Sequence, residues 1–456
     1  MVRVFAAAIF ICMLLVLGAA TAKAEQSPQL AATSAKLAEV AQAYADVYGF
    51  SGTVKVVKHG EQVLLASYGL ANREFAISNS PDVRFSINSV SKTFTAAAVL
   101  QLVEQGKLKL HTPVSAYIPE LGAEWANKVT LHHLLTHSSG LPRESGIQPH
   151  QNLSLSQQIT QLVNDQALLF EPGSRYEYSN IGIILLGRVI ETASKQGFAS
   201  YITEHIIKPL KLNNTGVYQA EKVVERQATP YRITPEGVAT APRSKHLGVN
   251  PGGGMYSTVD DLYQFMLALE QHKLLSAESS RQMFQQQITS AEGDRHGYGW
   301  TLKPFGDRVL YFAAGSGFGT KSVMLRSASQ DDFIAITANW GNTPILQLMA
   351  GLFFLLNDVD YSLPDKRSLA SVTQFAARLG SYQFVADEVQ KHLMMQSNIV
   401  TLQAIDGKVF MNDELMAVRP DNTLRLTYTD EVSISFAGND MIITINGNTL
   451  RGDKLH

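Results

Sequence analysis

The sequence predicts a mixed α/β (α+β) protein that ends in a small all-β domain. Three observations carry that prediction. Residues 112–250 are mostly helical in pattern, with polar loops between the helices. From 297 onward, β-like segments follow in series, as in an antiparallel meander. Beyond about 380 the chain is strand-like, with turn signals at Asp406-Gly407, Gly438-Asn439-Asp440 and Asn446-Gly447. The 456 residues leave room for two or three domains. A chain that is 45 % hydrophobic and 17 % charged is expected to be globular, and a formal net charge of -2 suggests no nucleic-acid or anionic-membrane partner.

In chain order, residues 1–24 read as a secretory signal. Arg3 is the positive start, Phe5 to Leu17 is an apolar run, and Ala22-Lys23-Ala24 is a small-x-small cleavage site. The run is short for a membrane span, so no stable span is expected after cleavage, and the location is periplasmic or secreted. The single cysteine, Cys12, lies inside the signal, so the mature chain is expected to carry neither disulfide nor thiol chemistry.

Residues 33–48 form an amphipathic helix pattern with Leu37, Val40, Ala41, Tyr44 and Val47 on one side, ended by Gly49. Thr53–Val57 and Gln62–Ser67 alternate as a hairpin about Lys58-His59-Gly60. Next comes the stretch around which the rest is organised. Ser89 and Lys92 stand three residues apart at the head of an apolar run in which Val90, Phe94, Ala97, Ala98, Leu102 and Val103 recur at helical spacing up to Gly106. Residues three apart share a helix face, so hydroxyl and amine lie side by side in the first turn. A serine needs a base to become a nucleophile. Burial and the positive end of a helix lower a lysine's pKa, which makes a neutral amine available as that base.

The stretch Leu131 to Pro142 begins as a helix and breaks at Gly140-Leu141-Pro142. His132, His133 and His137 there invite a zinc reading, but no His-Glu-x-x-His pattern or second ligand cluster accompanies them, and packing and loop hydrogen bonding are expected instead. A Pro172-Gly173 turn leads to Tyr178-Ser179-Asn180, which opens a strongly apolar helix. Tyr178 and Asn180 there can face a cleft, and a tyrosine near ammonium groups can act as a base. Pro251-Gly252-Gly253-Gly254 is a tight loop where backbone approaches something closely, and it lacks the Gly-Lys-Ser/Thr ending of a phosphate loop. Ser257 to Asp260 reads as a capping box with Asp in place of Glu. Tyr298–Leu302, Arg308–Phe312, Lys321–Leu325 and Phe333–Asn339 are the β-like segments, followed by an apolar helix from Leu346 to Leu356. Residues 357–366 are a polar connection. Arg451-Gly452-Asp453 matches an adhesion tripeptide and reads as a turn.

Ser89-Val90-Ser91-Lys92, Tyr178-Ser179-Asn180 and the triple-glycine loop occur in one order, with Leu134-Leu135-Thr136-His137-Ser138-Ser139-Gly140-Leu141 and Tyr298-Gly299-Trp300 between and after them. Over roughly residues 35–355 the sequence resembles the β-lactamase-related serine hydrolases, which include class C β-lactamases, D-alanyl-D-alanine carboxypeptidases, D-aminopeptidases and related esterases. The resemblance implies two lobes, an antiparallel sheet flanked by helices and a mostly helical lobe, within residues 25–365. The β-rich residues 366–456 resemble the barrel-like domains that some members append. By the same resemblance Ser89 is the nucleophile, Lys92 and Tyr178 shuttle its proton, and Asn180 bonds the substrate amide or Lys92. The main-chain N–H of Ser89 would supply one oxyanion donor, with the strand near Gly315, Ser316, Gly317 and Phe318 supplying the other. No cofactor and no metal are implied.

One departure matters. The family's third motif on that strand, Lys-Thr-Gly or His-x-Gly, has no cation here: alignment places Tyr311 or Ala313 at its first position. Strand alternation carries Lys321 away from the cleft. Losing one preorganised electrostatic group reduces rates on the order of a hundredfold or more. The expectation is therefore an acyl-enzyme hydrolase of an ester, amide or D-amino-acid peptide bond, with esterase or peptidase favoured over β-lactamase. The alternative is a catalytically weak member that acts as a binding or regulatory protein. The substrate is a small molecule or peptide.

Overall fold

The computed structural model describes residues 30–455 apart from 145–152, 220–221, 235–236, 242–249, 318, 365–368, 394–396, 406, 413, 420, 427–431 and 446. The signal segment with Cys12, the boundary at 365/366, Phe318, and the turn residues Asp406 and Asn446 lie outside the described residues.

Six helices bear on the site: α1 (residues 30–48), α2 (Ser91–Glu104), α3 (Leu131–Leu135), α4 (Asn180–Ser194), α5 (Val259–Glu270) and α6 (Ile345–Leu356). The apolar stripe of α1 is buried from Leu37 to Val47, and Gly49, at φ +72°, turns the chain out of the helix. An eight-stranded sheet follows, made of β1 (Gly52–Lys58), β2 (Glu61–Tyr68), β3 (Ile288–Thr289), β4 (Arg295–His296), β5 (Thr301–Phe305), β6 (Arg308–Gly317), β7 (Thr320–Ser327) and β8 (Asp332–Ala338). Their order is β3-β4-β5-β6-β7-β8-β1-β2, and every pairing is antiparallel. The first hairpin thus closes on the last strand. Gly52 lies opposite Ala338, and a Cβ at Gly52 would fall 1.9 Å from the Thr337 carbonyl oxygen, so this register needs a residue without one.

Alternation sorts the sheet's side chains into two cores. Val54, Val56, Val323, Leu325, Ile334 and Ile336 pack with α1 and α6. Ala313, Met324, Phe333 and Ala335 pack with α2, α4 and α5. Helix α2 is enclosed on every side, with each residue from Ser91 to Leu100 buried, and Phe94 stacks on Phe265 of α5 at 3.8 Å. A short ladder, Met255–Ser257 between Phe85–Ser86 and Gly216–Val217, brings the chain just before Ser89 beside the chain just after the glycine loop.

The C-terminal strands β9 (Gly380–Gln383), β10 (Ile399–Ile405), β11 (Lys408–Met411), β12 (Glu414–Val418), β13 (Leu424–Leu426), β14 (Val432–Ala437), β15 (Asp440–Ile445) and β16 (Asn448–Lys454) form a closed barrel. Closure removes exposed strand edges. Phe410 and Leu415 reach out of the barrel into the α1/α6 core, which seats it on the sheet.

Several expectations are corrected. The region 112–250 is less helical than its pattern: besides α3 and α4, residues 155–163 and 198–207 and two single 3₁₀ turns, Val114–Ala116 and Glu124–Asn127, are helical among those described, and the rest is turns and short ladders. Tyr298-Gly299-Trp300 is a bend joining β4 to β5, not strand. Gly299 sits at φ +81°, and a Cβ there would meet the Lys92 carbonyl oxygen at 3.2 Å. Helix α5 is capped by Thr258, which accepts from Asp261 N, rather than by Ser257. Arg451-Gly452-Asp453 lies within β16, where Gly452 pairs with Met441 and leaves room for the Phe384 ring. The glycine there serves close packing rather than a turn.

Truncating Phe94 to alanine removes a fully buried ring from the centre of the fold. Phe94→Ala is expected to lower stability by about 3–5 kcal/mol in urea unfolding, against less than about 0.5 kcal/mol for the exposed Phe75→Ala.

Candidate active site

Ser89 stands in a single 3₁₀ turn, Asn88–Val90, that runs directly into α2. The turn is locked to the sheet. Asn88 holds a left-handed backbone at φ +46°, and its side-chain amide donates to Thr320 Oγ1 at 3.0 Å. Ser322 Oγ donates to the Ile87 carbonyl at 2.7 Å. Gly315 and Gly317 of β6 face this turn. A Cβ on Gly315 would lie 2.3 Å from Ile87 O and 2.9 Å from Ser89 N, and one on Gly317 would lie 2.5 Å from Asn88 Oδ1. The two glycines let the strand pass in contact with the backbone of Ser89 itself.

Lys92 is one turn further along, buried, with Nζ 3.0 Å from Ser89 Oγ. The same nitrogen donates to the Gly252 carbonyl at 2.5 Å. The glycine loop is therefore the backbone that closes on Lys92. Thr95 Oγ1 anchors it through the Pro251 carbonyl at 2.7 Å, and Asn250 Oδ1 accepts from Gly252 N at 2.9 Å. Burial, opposed by the neighbouring Tyr178, holds the Lys92 pKa below that of an ordinary lysine.

Tyr178 precedes the Ser179 cap of α4, and its Oη donates to Ser89 Oγ at 2.9 Å. Its ring is held by others. His137 stacks on it at 4.5 Å, the Arg143 guanidinium lies 4.7 Å from its centre, and Lys92 Nζ lies 5.0 Å away. His137 is fixed in turn by Ser179 N, which donates to its Nδ1 at 3.2 Å. Burial, then the Lys92 charge and His296, push its pKa down to about 3, so the imidazole is neutral in ordinary buffers. Tyr176 and His296 stack at 4.1 Å alongside. These rings, with Trp300, Thr301 and Phe312 to Ala314, enclose a cavity of about 90 Å³ over Ser89 and Lys92.

One anticipated contact is not made. The Asn180 side chain does not reach Lys92; its Nδ2 donates to Glu144 Oε1 at 2.5 Å. Ser316 alternates with Gly315 and Gly317, so its side chain turns to the other sheet face, where its Oγ accepts from Lys321 Nζ at 2.8 Å. Tyr311 packs on Phe284 at 4.3 Å and Ala313 lines the cavity, so neither supplies a cation. The remaining histidines are engaged locally. His132 Nδ1 shares a hydrogen bond with Tyr298 Oη at 2.8 Å, and His133 Nδ1 accepts from Thr130 N at 3.3 Å. Sequence reasoning passed over Gly252, His137, Arg143 and His296 as parts of the site. Only the glycine run signalled its closeness beforehand.

The sequence profile of the Beta-lactamase family matches residues 37–348. The chain belongs to that family. A putative penicillin-binding protein, PbpX, of Bacillus subtilis is 31 % identical over 263 residues, 57 % of this chain and 64 % of that protein, so the match spans just under two thirds of the relative. The penicillin binding protein of Bacillus halodurans is 27 % identical with a TM-score of 0.63, over 68 % of this chain and 98 % of its own. The octameric penicillin-binding protein homologue of Pyrococcus abyssi is 20 % identical with a TM-score of 0.65. It covers 91 % of this chain and 99 % of its own, a likeness of fold wide enough to include barrel strands. Within the family's architecture this chain joins a serine, a buried lysine and a tyrosine on the helical side to a strand floor of glycines and alanines.

The buried imidazole of His137 gives a stability signature. Between its ordinary value of 6.5 and about 3, the unfolded chain binds a proton there that the folded chain does not, so stability falls as pH falls through this window. His137→Asn, chosen because asparagine tolerates the left-handed backbone at this position, is expected to flatten the slope of unfolding free energy between pH 5 and 4 by about 1.4 kcal/mol per pH unit. Urea titrations at the two pH values measure it, and parallel slopes in variant and wild type would contradict it.

Proposed function

We propose that the protein is an exported serine hydrolase that works through an acyl-enzyme on Ser89. The observation that carries this reading is the convergence of Lys92 Nζ at 3.0 Å and Tyr178 Oη at 2.9 Å on one serine oxygen. Lys92, whose pKa burial lowers, takes the Ser89 proton in its neutral form as Oγ forms a bond to the substrate carbonyl carbon. The charge that develops on the carbonyl oxygen is met by the main-chain N–H of Ser89 and by a donor of the strand at Gly315 to Gly317. As the bond to the leaving group breaks, the proton passes through Lys92 and Tyr178 to that group. Water then repeats the sequence in reverse, releasing the acid and restoring the serine.

The bond cleaved is an ester, amide or D-amino-acid peptide bond. The cation-free strand favours esterase or peptidase activity over β-lactamase activity. The curated relative's name as a putative penicillin-binding protein supports acylation by compounds of that type. The leader-like pattern of residues 1–24 supports export.

Intact-protein mass after exposure to a p-nitrophenyl ester and, separately, to a fluorescent penicillin tests the nucleophile. An acyl adduct or ester turnover is expected in wild type and absent in Ser89→Ala; an adduct that persists in Ser89→Ala, or none in either protein, rejects the reading. The pH profile adds a second check. The acylation rate is expected to rise with pH as Lys92 deprotonates and to level off below 10.5, the value of an unshifted lysine, because the neutral amine is the active form.

A further inference from the structure

The strand beside Ser89 offers no positive charge, yet a cation stands on the helical side of the same cleft. Arg143 places its guanidinium 4.7 Å from the centre of the Tyr178 ring, one side chain away from the nucleophile. Its carbonyl accepts from Asn180 N at 2.9 Å, so Arg143 and Glu144 are tied to the head of α4. Asn180 Nδ2 is the second donor at this place. Both donors already meet a carboxylate: Glu144 Oε1 accepts from Asn180 Nδ2 at 2.5 Å and lies 3.8 Å from Arg143 Nε. An amide N–H and a guanidinium converging on carboxylate oxygen is the chemistry of a carboxylate subsite. The pair Arg143–Glu144 is more than half exposed at both side chains, 56 % and 64 %, and an exposed ion pair of adjacent residues holds weakly. Glu144 is therefore an occupant that a ligand can displace.

We propose that Arg143 and Asn180 form the carboxylate-recognition subsite of this hydrolase, and that Glu144 fills it until a carboxylate-bearing acyl donor displaces it. The proposal rests on the reading of Ser89 as the acylated residue and narrows its substrate class. The missing cation of the strand is made up from the opposite side of the serine. This readmits anionic substrates that the bare strand alone would disfavour. Arg143 is then a specificity-determining residue, and Glu144 is an internal competitor that raises KM for the true substrate.

A matched pair of substrates isolates the effect: an N-acyl-D-alanyl-D-lactate and its carboxamide, which share the scissile ester and differ only in the leaving group's carboxylate. The readout is the ratio of kcat/KM for acid over amide. In Arg143→Ala the ratio is expected to fall roughly tenfold, the worth of one hydrogen bond to a charged group, with partial return in Arg143→Lys. In Glu144→Ala it is expected to rise roughly threefold, through KM, as the competitor is removed. Equal losses on both substrates, or an unmoved ratio, overturn the subsite. A separate measurement does not depend on turnover: titration calorimetry of both compounds with Ser89→Ala. The acid is expected to bind more tightly than the amide, and the preference is expected to vanish in Ser89→Ala/Arg143→Ala. Equal affinities overturn the subsite whatever the catalytic result. Failure of wild type to acylate on Ser89 with the p-nitrophenyl ester and the penicillin would instead overturn the hydrolase reading, whereas acylation by those reagents with neither member of this pair bound or turned over overturns the subsite.

Discussion

A lysine amine buried at the head of α2 is the constraint on which the site depends. Lys92 is buried, so its nitrogen must find partners within the protein. It donates to the Ser89 hydroxyl and to the Gly252 carbonyl. The second partner dictates a good deal of surrounding structure. Pro251-Gly252-Gly253-Gly254 must fold tightly enough to present a carbonyl, and Thr95 of the same helix holds that loop down. Gly187 of α4 must lack a side chain, because a Cβ there would lie 2.1 Å from the Pro251 ring. Gly299 must let the β4–β5 connection pass behind the Lys92 carbonyl. The burial that creates these demands is also what lowers the lysine's pKa, so one physical fact serves both packing and chemistry.

The two walls of the cleft have different tasks. The strand wall is backbone: Gly315 and Gly317 press against the Ser89 turn, and Ser322 and Thr320 bond to Ile87 and Asn88 across the hairpin. It fixes where Ser89 stands. The helical wall supplies side chains. Tyr178 reaches the serine, His137 and Arg143 hold the tyrosine ring, and Tyr176 with His296 closes the cavity. A neutral His137 adds ring contact beside Lys92 without adding charge there. The barrel stands behind the sheet, joined to the α1/α6 core through Phe410 and Leu415.

Local pattern made much of this legible. Helix α1, the first hairpin, the meander from β5 to β8, helix α6 and the run of C-terminal strands all follow periodicities that survive in the fold, because each buries the stripe its spacing creates. The errors have a common origin. Tyr298-Gly299-Trp300 reads as strand by composition, but its glycine answers to a close approach by α2. Arg451-Gly452-Asp453 reads as a turn, but its glycine answers to Phe384 across the barrel. In each case the deciding neighbour is far away in the chain.

By itself the sequence determined the family, the order of elements and the three groups that meet at the serine oxygen. Ser89 and Lys92 are one helical turn apart, and that spacing is local geometry. What only tertiary structure decided is which partner each group takes. Asn180 turns to Glu144 rather than to Lys92, the Gly252 carbonyl takes the lysine, and Arg143 comes to lie over Tyr178. Hydrogen bonds and charge contacts act over a few ångströms, whereas these partners come from separate elements. Their pairing exists only once the cores on both faces of the sheet have packed and the loops between them have no other place to go.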